Sequence, residues 1–160
     1  MSEAAPNSLA PPADGPPFQV RPMTPDDYDA VFALWSRCTG IGLGTSDTKP
    51  AIDAYLARNA GMSAVAVDAP AGVIIGAVLC GHDGRRGTLH HLAVEPAHRR
   101  HGVARALVDW SIAALARAGI EKCNIFLWRA NTDGEGFWLR EGWSPRPDIV
   151  LVQRFTRRDA

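Results

Sequence analysis

The chain has 160 residues, 46% of them hydrophobic and 21% charged, with 17 basic and 17 acidic side chains that cancel. That length favours one domain with a real core, and the zero balance gives no global pull toward nucleic acid or a membrane surface. Three cysteines, Cys38, Cys80 and Cys123, lie far apart with no CxxC spacing, which supports neither a disulfide framework nor a zinc ribbon. No apolar run reaches membrane-spanning length, and the N-terminus lacks a basic segment followed by an apolar core. The expectation is a cytoplasmic protein.

Residues 1–17, "MSEAAPNSLAPPADGPP", are too poor in large apolar groups to offset the entropy of ordering them, so they read as a mobile tail. A domain over 18–160 follows. "FQVRPM" alternates like a strand. Thr24 then stands as a helix N-cap with Pro25 at the first helical position. Val31, Leu34, Trp35 and Cys38 recur at helical spacing, "GIGLGTSD" is a loop, and a second helix follows Pro50. "SAVAV", "VIIGAVLC" and "TLHHLAV" form three strands joined by Gly-rich turns, an antiparallel meander. Gly102 to Ala118 is the clearest helix, with Gly119 as its stop. "CNIFLW" is a strand, "GEGFWLRE" a helix and "DIVLVQRF" a closing strand. The class is α/β (α+β): a mixed, mostly antiparallel sheet of about six to seven strands flanked by helices.

The charge is balanced overall but not locally. All five histidines fall between His82 and His101, together with Arg85, Arg86, Arg99 and Arg100 against only Asp83 and Glu95. A cationic patch inside a neutral chain suits a small anion better than a polyanion. Within it, "EPAHRRHGVA" joins a strand to the long helix. A helix N-terminus offers unpaired amides and partial positive charge, a natural phosphate seat. Gly102 and Ala104 keep side chains out of the way, and Arg99 and Arg100 add charge-assisted donors. No GxxxxGK[ST] occurs, and "GIGLG" follows a helical segment and lacks the last glycine of a dinucleotide fingerprint.

Arg99-Arg100-His101-Gly102-Val103-Ala104 fits the [Q/R]xxGx[G/A] pattern of the GNAT superfamily of N-acyltransferases. "LHHLAVEPAHR" resembles that family's fourth strand, and "NTDGEGFWLREGW" resembles its later motif of an Asn, an aromatic pair and a Gly-aromatic ending. The resemblance spans roughly Phe18 to Phe155. It implies a GNAT-like fold, acetyl-CoA as co-substrate, and transfer of an acetyl group to a primary amine of a small molecule or peptide by direct attack in a ternary complex. The pyrophosphate would lie on the amides of Arg99 to Ala104. Leu92, Ala93 and Val94 would supply backbone groups to pantetheine, with an amide near Leu92 as oxyanion donor. Asn131 would bond the pantetheine arm, and Trp138 would pack on it. Dimers are frequent among relatives, so a homodimer is a further expectation.

The attacking amine must lose a proton. The positions where the family often carries an acid look like Thr88 and Phe126, neither able to accept one. Period-two alternation puts Thr88, His90, Leu92 and Val94 on one face and His91 on the other. His90 is therefore the candidate base, with His91 and Glu95 weaker. Many relatives carry a tyrosine at Trp138 as the acid for the departing thiolate, whereas Tyr28 and Tyr55 here lie in the first two helices. A non-catalytic CoA-binding or sensing domain of the same fold stays open as the alternative. Nucleic-acid binding is disfavoured by the neutral charge and the lack of aromatic–basic interleaving, a membrane role by hydropathy, and a metal by missing ligand spacing. Gly134 and Gly136 weaken the start of the last helix by roughly 1 kcal/mol each relative to Ala.

Overall fold

The computed structural model describes residues 17–157. The chain divides into two compact units, Met1–Phe126 and Leu127–Ala160. The first holds β1 (Phe18–Pro22), α1 (Tyr28–Arg37), α2 (Lys49–Arg58), β2 (Ala64–Asp68), β3 (Ile74–His82), β4 (Gly87–Val94), α3 (Val103–Arg117) and β5 (Cys123–Ile125). The second holds α4 (Thr132–Arg140). The predicted tail lies outside the described residues except for Pro17, whose carbonyl accepts from the Ala69 amide at 3.0 Å.

The strands form one sheet in the order β1-β2-β3-β4-β5, antiparallel through β4, with β5 parallel to β4. The expected meander is present. The sheet has five strands instead of six to seven, because "DIVLVQRF" joins no ladder among the described residues. Val150 and Val152 are each 85% exposed. Apolar alternation supplies side chains for a strand, but a strand also needs a neighbour's backbone groups, which the local pattern cannot provide. "CNIFLW" likewise pairs only over Cys123–Ile125.

α1 and α2 cover one face of the first unit. Val31, Leu34, Trp35, Ile52 and Leu56 pack there on Val65, Ala77 and Leu79. α3 covers the other face, where a Cβ on Gly76 would come within 2.9 Å of Val103 and one on Gly87 within 2.5 Å of Leu115. Those two glycines let the helix approach the sheet closely. Ser111 of α3, fully buried, donates to the Met62 carbonyl at 3.1 Å.

As expected, Thr24 is an N-cap with Pro25 at the first position, here of a 3₁₀ turn over Pro25–Asp27 that leads into α1. Thr24 gives its amide and hydroxyl to Asp27 Oδ2 at 2.8 and 3.1 Å, and Arg21 closes a bidentate pair on the same carboxylate at 2.7 and 2.8 Å. Burial alone would raise this carboxyl, but these hydrogen bonds hold it below the usual range.

Candidate active site

A β-bulge on β4 organises the site. Leu79 pairs with His90 and Ala77 with Ala93, so Val78 alone stands opposite His91 and Leu92. His91 has φ +52, rare for a side chain of this size. The extra residue changes which face each later position occupies. Ala93 shares the α1/α2 face with His90, whereas Val94 sits opposite Gly76 on the α3 face. Strict alternation over Thr88, His90, Leu92 and Val94 is thus corrected, and so is the placing of His91 away from His90. The two imidazole centroids lie 6.4 Å apart.

Each histidine has its own surroundings. The His90 ring lies 6.3 Å from Tyr55 of α2 and 6.3 Å from Phe126. Burial pushes its pKa below the ordinary value, the His91 ring adds to that, and the Asp47 carboxylate opposes it. A neutral imidazole with a bare nitrogen is the form a proton acceptor needs. His91 is fastened at two points. Its carbonyl accepts the indole N–H of Trp35 at 3.0 Å, and its Nε2 meets Asp47 Oδ1 at 2.7 Å. Trp35 is 1% exposed, so that acceptor also satisfies an otherwise stranded buried donor. Asp47 in turn takes the Gly44 amide on Oδ2 at 2.7 Å. Glu95, the other weaker base candidate, is paired with Arg37 at 2.8 Å.

β5 pairs with β4 only over Gly87, Thr88 and Leu89. From His90 onward the outer edge of β4 has no ladder partner among the described residues, which leaves it open to an added extended chain. At the end of that edge, Pro96–His98 makes a single 3₁₀ turn and Arg99 ties back through Nε to the Val94 carbonyl at 3.1 Å. Arg100 and Gly102 both have positive φ, +63 and +83. Gly102 is the N-cap of α3, makes no side-chain cap, and a Cβ there would meet nothing within 4 Å. Arg99, Arg100, His101 and Gly102 are exposed, while the Val103 side chain is in the core and Ala104 is half-buried. The loop can thus offer an anion the first amides of α3 and the Arg100 and His101 side chains; Val103 contributes only backbone.

Asn131 and Trp138 belong to the second unit. Asn131 is the N-cap of α4, with Oδ1 accepting the Gly134 amide at 2.9 Å. A Cβ on Gly134 would approach that amide side chain to 2.6 Å, so this glycine makes room for the cap. Trp138 is 6% exposed and packs on Phe137 and Trp143 with centroids 5.0 and 4.7 Å apart. Sequence reasoning missed Asp47 as a site residue. The "GTSD" turn chemistry was visible, but its partner 44 residues away was not.

A sheet that opens beside a bulged fourth strand, running into an uncapped helix N-terminus, defines an acyl-CoA N-acyltransferase fold. The sequence profile of the Acetyltransferase (GNAT) family matches residues 28–143, and the chain belongs to that family. An acetyltransferase of Yersinia pestis (strain Pestoides F) is 29% identical over 137 residues, 86% of this chain and 95% of that protein. Among solved structures, Ard1 from Thermoplasma volcanium superposes with a TM-score of 0.69 at 17% identity, covering 79% of this chain and 82% of its own. AAC(6')-Iy, in complex with the bisubstrate analogue CoA-S-monomethyl-acetylneamine, has a TM-score of 0.67 at 16% identity and covers 86% of this chain and 98% of its own. Among the described residues, no helix is long and apolar enough to cross a membrane.

Proposed function

We propose that the protein is an acetyl-CoA-dependent N-acetyltransferase acting on a primary amine of a small molecule or peptide. The observation that carries this reading is the continuity of three features: the unpaired edge of β4 from His90, the bulge at His91 and Leu92, and the uncapped N-terminus of α3 at Gly102. The amides from Arg99 to Ala104 hold the pyrophosphate, helped by Arg100 and His101. Backbone groups of Leu92, Ala93 and Val94 hold pantetheine as an added strand. The Leu92 amide donates to the thioester oxygen as the amine nitrogen attacks the carbonyl carbon and charge builds on that oxygen. His90 takes the proton from the amine, and the carbon–sulfur bond breaks to release CoA thiolate. A thiol's pKa near 8.5 lets the thiolate depart without a dedicated acid.

A second reading, a CoA-binding domain without turnover, is favoured by Trp138, whose indole N–H has no practical acidity and which is enclosed by Phe137 and Trp143. Thiol release from acetyl-CoA, followed with a panel of peptide α-amines, lysine peptides, polyamines and aminoglycosides, separates the two. Turnover of any acceptor above acetyl-CoA hydrolysis supports the enzyme. Saturable acetyl-CoA binding with no turnover across the panel supports the second reading.

A further inference from the structure

Asp47 is 7% exposed in a connection that otherwise follows the surface, and its carboxylate is used on both oxygens. A carboxylate can only accept, so the His91 Nε2 beside it carries the hydrogen, which leaves Nδ1 as the basic nitrogen of the neutral ring. The bulge then sets this paired ring next to His90 instead of across the sheet from it. A left-handed backbone at a histidine costs free energy, and such strain persists only where the surroundings over-determine it. Here Trp35, from α1, holds the His91 carbonyl and packs its ring edge-on with centroids 5.0 Å apart.

We propose that Asp47 and His91 form one positioning pair for His90. The carboxylate anchors the His91 ring beside the His90 ring, and the imidazole in turn shields His90 from the carboxylate's charge, so that His90 keeps a bare nitrogen for an incoming proton. The pair also pins the α1–α2 connection to the bulged strand. Calling His90 a base rests on the N-acetyltransferase reading; the coupling of the three side chains does not. Other groups around His90 carry no competing charge. Tyr55 stays a neutral phenol because burial pushes it up. Across the sheet, on the α3 face, burial pushes the Cys80 thiol up to about 12 and the Cys123 thiol up to about 11. Phe126 and Leu79 are uncharged.

The sign of the coupling is fixed by the geometry. Removing the His91 ring deletes a neighbour whose imidazolium form repels a charge on His90 and leaves the Asp47 carboxylate facing His90, and both changes favour the His90 imidazolium. The test is a carbon–nitrogen NMR titration of the labelled full-length protein without acetyl-CoA, with His90 assigned by its loss in His90→Gln. In the wild type His90 should titrate below an ordinary histidine, and in His91→Asn it should move up by about one pH unit. Asparagine tolerates positive φ, so this variant keeps the bulge. A His90 titration that is unchanged or lowered overturns the proposal. The nitrogen shifts give a second readout: His91 should be protonated on Nε2, and Asp47→Asn, which keeps an oxygen for the Gly44 amide, should release that preference. A neutral His91 protonated on Nδ1, or one indifferent to Asp47→Asn, overturns it equally. Because no acceptor or cofactor is added, failure here leaves the acetyl-CoA reading untouched, and failure of that reading leaves this result standing.

Discussion

α3 and α4 meet the same problem at their N-termini and solve it differently. Each must find partners for first-turn amides that the helix cannot satisfy itself. At α4, the Asn131 side-chain oxygen accepts the Gly134 amide, and the helix closes on itself. At α3, Gly102 has no side chain to offer, its φ of +83 turns the backbone aside, and open space lies where a Cβ would be. One terminus is completed by the chain, the other is left for solvent or a ligand. A helix start in the sequence is therefore informative less for what caps it than for whether anything does.

The comparison breaks first at Gly102. Acetyl-CoA at 100 times its dissociation constant should stabilise the wild type by about 2.7 kcal/mol, a rise in unfolding midpoint of roughly 5–10 °C. In Gly102→Glu a carboxylate occupies the anion's place, and the expected midpoint shift on adding acetyl-CoA is nil. Next comes Gly134→Ala. Helix propensity alone predicts a gain of about 1 kcal/mol, but the new methyl collides with the capping side chain, so denaturant unfolding should show a net loss of roughly 1.5–2 kcal/mol. In an Asn131→Ala background the same substitution should revert to a gain, and a loss in both backgrounds would remove the cap from the explanation.

Arg100→Gly should separate stability from binding. It relieves a left-handed arginine, gaining about 1 kcal/mol in the free protein, while calorimetric affinity for acetyl-CoA falls about tenfold as a charge-assisted donor is lost. Asn131→Ala alone should cost about 1 kcal/mol in unfolding free energy. The smallest effect is a pH slope. The His90 pKa is lowered in the folded chain from 6.5, so between the two values the unfolded chain binds a proton that the folded chain refuses. Stability should then rise with pH through that window and be lost as pH falls, and His90→Gln should flatten that slope.

The meander, the three longer helices and the Gly102 stretch were legible because each is written locally, in alternation, helical spacing or a turn residue. Two errors share one cause. The bulge at His91 depends on how β4 registers against β3, and no residue type in "LHHLAV" announces it. The closing strand read from "DIVLVQRF" needed a partner ladder that local pattern cannot supply. Asp47 was visible only as one acid in a loop, because its significance lies in a histidine far along the chain. Asn131 was read through the family's later motif, and its part as the cap of α4 through the Gly134 amide was not foreseen.

The one-residue insertion in β4 also leaves a mark that needs no structure to detect. Before it, the odd positions Gly87 and Leu89 lie under α3; after it, the even position Val94 does. A saturation scan of this strand should therefore change parity midway, with intolerance to polar groups under α3 passing from odd to even numbers between His90 and Ala93. Deleting one codon in that interval would restore a single parity while leaving Ala93 opposite Ala77 and Val94 opposite Gly76, each still in its own layer.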